Sequence, residues 1–316
     1  MVRVKLFRKA AVAQENAVHV VRRLDDREEI RRRLEEERIY AAYALAQLEA
    51  GAFEGSEWWL SQGDGGEALL MHSKAGLGNA LVAFGDARAL AAALSLHPGP
   101  QNTFATFRPE HLDVMRRFFF LAHSDPMLRM VVTRDSFQAA PALEAEATGE
   151  IVVRRLAEAD IGRVNRLYRS EGSHMEYRAH HLRGAVYFGL FEDGRLASVA
   201  GTHSVARESG IALVGNVFTH PLYRDRRYGL RVTGAVTQAL LETCPEVALT
   251  VHPENAPAVR AYARLGYQQD CEMIEAGASR KDILGLASLL RRLVARRRGR
   301  SPGEEIVAWS RRTDGF

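Results

Sequence analysis

The chain has 316 residues, 47% of them hydrophobic and 26% charged, too polar for a bundle of membrane helices and too apolar for a disordered chain. At roughly 100–200 residues per domain, that length predicts two domains, each able to bury its own core. Lys and Arg outnumber Asp and Glu by 43 to 39, but ten basic and four acidic residues fall in 280–316, so residues 1–279 carry a net −2 and their surface is not expected to bind nucleic acid.

In chain order, residues 25–49 read as one long helix opened by Asp25 or Asp26, with Ile30, Leu34, Ala41, Leu45 and Leu48 inward and charges elsewhere. Strands at 58–62 and 67–73 flank a turn at 63–66, and a third strand follows at 81–84. Gly76-Leu77-Gly78 lacks a third spaced glycine and reads as a plain turn. Residues 86–96 read as a helix, 102–107 as a strand, 109–119 as a helix opened by Pro109, and 127–133 as a strand. The stretch 139–150, small and acidic with Pro141 and Gly149, has linker composition and sets a boundary near 150.

Beyond it the pattern restarts. A strand at 151–156 precedes a helix at 158–169 with Ile161, Val164 and Leu167 inward. Strands at 186–192 and 195–203 are joined by Asp193-Gly194, a strong hairpin signal, and a third runs over 211–219. Residues 228–242 form a helix with Val232, Ala235, Val236, Ala239 and Leu240 on one face, followed by a strand at 247–251, a helix at 257–265 ended by Gly266, and a strand at 267–274. Both halves thus run hairpin, strand, helix, strand, proline-started helix, strand, which predicts a divergent internal duplication. In the tail, residues 282–294 place Ile283, Leu284, Leu286, Ala287, Leu290, Leu293 and Val294 on one helical face ahead of Arg296, Arg297, Arg298 and Arg300. That face is expected to dock on the body, with RNA or an anionic membrane surface as the alternative, and 304–309 resumes a strand-like pattern.

The halves differ most between the third strand and its helix. The first passes through Gly85-Asp86; the second inserts His220, Pro221, Leu222 and Tyr223 before Arg224, Asp225, Arg226, Arg227, Tyr228 and Gly229. A helix start offers unpaired N–H groups and the positive end of its dipole, a glycine admits a ligand closely, and three arginines add charge, so a diphosphate is the natural guest. An acid in the same place in the first half repels one.

Residues 151–275 resemble a GCN5-related N-acetyltransferase (GNAT) domain. Val217-Phe218-Thr219 followed by Arg226-Arg227-Tyr228-Gly229-Leu230-Arg231 is similar to the family's pyrophosphate motif. Asn255-Ala256-Pro257-Ala258, leading to Tyr262 and then Gly266-Tyr267, is similar to its second motif. Gly or Ala usually stands where Arg231 is, and often Gly where Arg227 is. The resemblance implies an α+β (α/β) fold of two tandem GNAT-like domains, each a mixed, largely antiparallel twisted sheet flanked by helices. These are a degenerate first copy over 1–148, an acetyl-CoA-binding copy over 149–276 and a basic tail over 277–316. It implies acetyl transfer from acetyl-CoA to a primary amine in a ternary complex, with a non-catalytic acyl-CoA sensor or scaffold as the alternative. Val217, Phe218 and Thr219 would pair with the pantetheine arm, a main-chain N–H at Val217 polarising the thioester. Arg224, Arg226, Arg227, Tyr228, Gly229, Leu230 and Arg231 would hold the pyrophosphate, Asn255 and Ala258 would contact the cofactor, and Tyr262 would protonate the leaving thiolate. In the first copy, Val114 stands where the second has Tyr262.

The base is left open among Glu171, His174, Glu176 and His203, with Glu176 placed in the catalytic set. The six histidines from His174 to His252 include the adjacent, diverging His180 and His181, and no metal is expected. Cys244 and Cys271, at no ligand spacing, fit a reducing cytoplasm. The first 21 residues are interrupted by Lys9, Gln14, Glu15 and Asn16, so neither a signal peptide nor a membrane span is expected. The acceptor amine and the oligomeric state are not encoded in any motif.

Overall fold

The computed structural model describes residues 17–74, 78–141, 150–172 and 177–309. The amino-terminal segment, Gly76-Leu77, most of the linker, His174 and Glu176 lie outside the described residues. The first half runs β1 (Ala17–Arg23), α1 (Arg27–Glu35), α2 (Ala42–Ala46), β2 (Ser56–Gly63), β3 (Gly66–Ser73), β4 (Ala80–Gly85), α3 (Ala87–Leu96), β5 (Asn102–Phe107), α4 (Leu112–Phe118) and β6 (Phe119–Thr133). The second runs β7 (Ile151–Arg155), α5 (Ile161–Arg169), β8 (Tyr187–Glu192), β9 (Arg195–Ala206), β10 (Ile211–Thr219), α6 (Tyr228–Leu241), β11 (Glu246–Val251), α7 (Ala256–Arg264) and β12 (Gln268–Arg280). The tail adds α8 (Leu286–Arg298) and β13 (Glu305–Trp309).

Asp26 caps α1, its carboxylate accepting from the N–H groups of Glu28 and Glu29 at 2.9 and 3.2 Å. The single long helix expected over 25–49 is instead α1 and α2. The chain turns between them where Tyr40 enters the core and donates its hydroxyl to the Ala83 carbonyl at 2.8 Å. Ile30, Leu34, Ala41, Leu45 and Leu48 are buried as the spacing required.

Thirteen strands form one mixed sheet in the order β13-β1-β2-β3-β4-β5-β12-β6-β11-β10-β9-β8-β7. The last strand of each half is exchanged. β6 pairs antiparallel with β11, from Thr133 opposite Glu246 to Leu128 opposite Val251, and β12 pairs with β5, from Phe107 opposite Ile274 to Asn102 opposite Ser279. β6 and β12 also pair with each other. Each half thereby fills the open edge of the other, and neither sheet is complete on its own.

Side chains alternate between two faces. Leu69, Met71, Ala248, Leu213 and Ile211 face the layer containing α1 and α2, with α5 further along on Val199 and Tyr187. Ala68, Leu70, Val247 and Leu249 face the opposite layer of α3, α4, α6 and α7. The first half's α2 therefore lies on strands of the second.

The tail departs from expectation. α8 meets α3 through the small residue Ala295, which packs with Ala92 and Leu96, and Ser288 is also buried. Glu305 of β13, itself buried, accepts from Arg296 Nε at 2.8 Å and pairs with His97. Ile283, Leu284, Leu286, Leu290, Leu293 and Val294, expected to dock, are exposed, because close approach to the alanine-rich α3 admits only the small-residue face of α8. Each such side chain forgoes about 1.5–3 kcal/mol of burial.

Candidate active site

The second half opens where β10 and β11 part. Their parallel pairing runs only from Ile211 opposite Glu246 to Val214 opposite Leu249, although β10 continues to Thr219 and β11 to Val251. The cause is a bulge. Between Gly215, opposite Gly201, and Phe218, opposite Val199, β10 carries one extra residue, and Asn216 takes φ +54°. Three tyrosines hold it there. Tyr168 OH donates to the Asn216 carbonyl at 2.6 Å, Tyr177 OH donates to Oδ1 at 2.9 Å, and Nδ2 donates to Tyr187 OH at 2.7 Å. Burial keeps these phenols protonated, pushing Tyr187 up to about 12 and Tyr168 well above the ordinary value. Gly201 makes the cage possible, since a Cβ there would stand 2.2 Å from the Tyr187 ring. The sequence reading missed Asn216; its only signal is a Gly-Asn interruption in an otherwise apolar strand.

Beyond Thr219 the loop reaches α6 through Asp225 at φ +63° and Arg227 at φ +60°. This left-handed residue before a helix turns successive N–H groups into one concavity suited to an anion. It also explains why a glycine suits the position of Arg227, which an L side chain occupies at a cost of about 1 kcal/mol. No side chain caps α6. α3, its counterpart, is capped by Asp86, whose carboxylate accepts from the N–H groups of Arg88 and Ala89 at 2.9 Å each. The first half thus satisfies its helix start with its own carboxylate, and the second leaves the same groups open. Gly229 lies against β10, where a Cβ would come 3.3 Å from Thr219 Oγ1. Two of the three loop arginines are oriented by acids. Arg226 Nη1 lies 3.1 and 3.2 Å from the Glu192 carboxylate, Tyr228 OH donates to Glu192 at 3.0 Å, and Arg224 pairs with Glu171.

On the same face as α6, one apolar cluster gathers Val217, Tyr223, Tyr228, Leu230, Ala258 and Tyr262. Asn255 caps α7, its Oδ1 accepting from Ala258 N–H at 3.2 Å. Tyr262 is buried, its ring 6.1 Å from that of Tyr267, and its hydroxyl has no hydrogen-bond partner among the described residues. Burial pushes its pKa up to about 12. Gly266, at φ +91°, is fixed by the exchanged strand's end, since a Cβ would lie 2.0 Å from the Ser136 carbonyl. In the first half Val114 packs in the core.

On the opposite face, His203 sits unpaired in a second bulge of β9, between Ser204 opposite Leu213 and Thr202 opposite Val214. Its ring is 5.6 Å from Tyr43 of α2 and remains open to solvent on its other side, and desolvation by its neighbours, with Arg129 close by, pushes its pKa down. Arg129 of β6 is buried, with Nε unpartnered. Burial pushes Glu275 of β12 up, an effect that Arg129 opposes. Tyr43 and Arg129 come from the first half and were invisible to a reading that kept the halves apart. Among the described residues, no three His, Cys, Asp or Glu gather as a metal site, and no helix is long and apolar enough to cross a membrane.

Residues 156–267 match the acetyltransferase (GNAT) family model. This segment of the chain belongs to that family. A GCN5-related N-acetyltransferase from Sphaerobacter thermophilus is similar at 15% identity, with 83% of this chain and 96% of that one covered and a TM-score of 0.53. A Drosophila protein of solved structure matches at 16% identity, over 80% and 87%, with a TM-score of 0.56. A GCN5-related N-acetyltransferase from Kribbella flavida matches at 17% identity, over 69% and 88%, with a TM-score of 0.50. At these identities the likeness is one of fold, and it extends over both halves. No curated protein matches the sequence. Both halves have GNAT-like folds, and the arginine loop before α6 has no counterpart before α3.

Proposed function

We propose that the second half transfers an acetyl group from acetyl-CoA to a primary amine by direct attack in a ternary complex. The observation that carries this reading is the conjunction of an uncapped α6 start with a β10 forced away from β11 immediately before it. The N–H groups of residues 226–231 would receive the diphosphate, with Arg224 and Arg226 exchanging their acidic partners for it and Arg227 adding its charge. The free edge of Val217, Phe218 and Thr219 would pair with the pantetheine arm, and the N–H at Val217 would polarise the thioester carbonyl. Asn255 and Ala258, already committed to the start of α7, would border the arm rather than grip it.

The amine attacks the carbonyl carbon, the C–S bond breaks, the departing thiolate takes a proton from Tyr262, and the proton shed by the new amide nitrogen restores the phenol. A phenol raised to about 12 stays protonated throughout the neutral range and serves as a donor while charge develops on sulfur. The incoming ammonium must lose a proton first. His203, on the opposite face beside the opening and with its pKa pushed down, is the described residue best suited to accept it. Glu171 is engaged with Arg224 until the diphosphate takes that arginine.

The first half, with Asp86 across its helix start, would bind no CoA. The setting is the cytoplasm and no metal is required. The test is release of free thiol from acetyl-CoA and longer acyl-CoAs across small amines, peptide amino termini and lysine side chains. Turnover with one class supports the reading. Tight CoA binding with no thiol release across the panel assigns the chain to acyl-CoA sensing instead.

A further inference from the structure

α8 is amphipathic in the reverse sense to a docked helix. Its contact with the body runs through Ser288 and Ala295, seven residues apart and therefore on one side. Leu286, Leu289, Leu290, Leu293 and Val294 occupy the opposite side and are 45–63% exposed, continued upstream by the exposed Ile283 and Leu284. At about 100° per residue, Arg291 and Arg298 run along one border of this apolar stripe and Arg296 along the other, with Arg297 beneath its last turn, while Arg292 turns its Nε towards the body beside Ser288. The helix contains five arginines and no acid. Arg291, Arg297 and Arg298 have no acidic partner among the described residues.

We propose that α8 is a membrane-contact helix that lays its leucine stripe into the headgroup region of an anionic bilayer. An apolar centre with cationic borders is the arrangement that an interfacial helix requires, since leucines enter the acyl boundary while guanidinium groups reach lipid phosphates. Charge decides against the other occupants. A second copy of α8 would set two arginine borders against each other. The chain's own ends are no more complementary. Residues 1–16, which lead into β1, hold Arg3, Lys5, Arg8 and Lys9 against Glu15, and residues 310–316, which follow β13, hold Arg311 and Arg312 against Asp314. Neither end carries net negative charge to offer the arginines of α8. RNA would engage the arginines but leave the leucines in water.

The test is sedimentation of the full chain with vesicles of phosphatidylcholine containing about one-third phosphatidylserine, and with phosphatidylcholine alone. Binding is expected to the anionic vesicles only and to weaken as salt rises. Leu290→Ser with Leu293→Ser is expected to weaken it at least about tenfold. Both sites are exposed, so the melting temperature stays at the parent value, and Arg291→Glu with Arg298→Glu weakens binding without touching the stripe. Failure of the parent protein to bind, or binding unaffected by the leucine substitutions, overturns the proposal. So does a parent dimer in analytical ultracentrifugation that the leucine substitutions dissociate, with no vesicle binding, which assigns the stripe to a second copy.

Discussion

Replacing Asn216 tests the strand opening at its cause. Asn216→Ala removes the side-chain bonds to Tyr177 and Tyr187, each worth about 1 kcal/mol net, and forces a Cβ residue without a polar side chain to hold φ +54°, costing about 1 kcal/mol more. Asn216→Gly loses the same bonds but is at ease in that conformation, so it is expected to cost about 2 kcal/mol against about 3 for alanine. In a chain of 316 residues, an unfolding entropy of about 0.7 kcal/mol per degree turns these into drops of about 3 and 4–5 °C in a thermal melt. With the bulge relaxed, β10 can continue its ladder along β11, and acetyl-CoA binding measured by calorimetry should weaken at least about tenfold. Two variants that melt within about one degree of the parent and bind acetyl-CoA equally well would refute the assignment, because the tyrosine cage would then not be what parts the strands.

Tyr262→Phe should lower kcat by about a hundredfold or more while leaving CoA affinity unchanged; weaker binding at an undiminished rate contradicts the donor role. Asp86→Ala removes the cap of α3 and should cost about 1 kcal/mol in denaturant unfolding, while calorimetry still counts one acetyl-CoA per chain; a second bound equivalent would show that the carboxylate alone had closed the first half. Asp160, bracketed by Arg154 at 2.8 Å and Arg163 at 3.1 Å, is held at about 2, chiefly by its hydrogen bonds from Arg154. A depressed carboxylate pKa stabilises the fold at pH values above its ordinary 3.8, and that contribution is lost as pH falls towards about 2. Asp160→Asn should therefore cost about 2 kcal/mol at pH 7 and progressively less between pH 4 and 2, and a penalty independent of pH would contradict the assignment.

The repeat order, the arginine loop and most element bounds were legible because they are local. Asn102–Phe107 and Ile211–Thr219 are strands as read, and Asp26 and Asp86 cap the helices their positions announce. These signals lie in apolar periodicity and turn chemistry within a few residues. The arginine loop was also readable, as a cluster with no counterpart in the first half.

What the sequence did not disclose depends on which distant segments meet. β1 becomes a strand only through partners at β2 and β13, the latter nearly three hundred residues away. The exchange of β6 and β12 leaves the pattern of each half unchanged, since a strand looks the same whichever edge it joins, yet it brings Glu275 to Arg129 and Arg129 towards His203. The strand opening needed three tyrosines from α5, β8 and the segment between them to converge on Asn216. The apolar stripe of α8 was visible as periodicity, which marks an apolar face without saying what meets it. Packing decided its direction, because only the Ser288 and Ala295 side is small enough to approach α3.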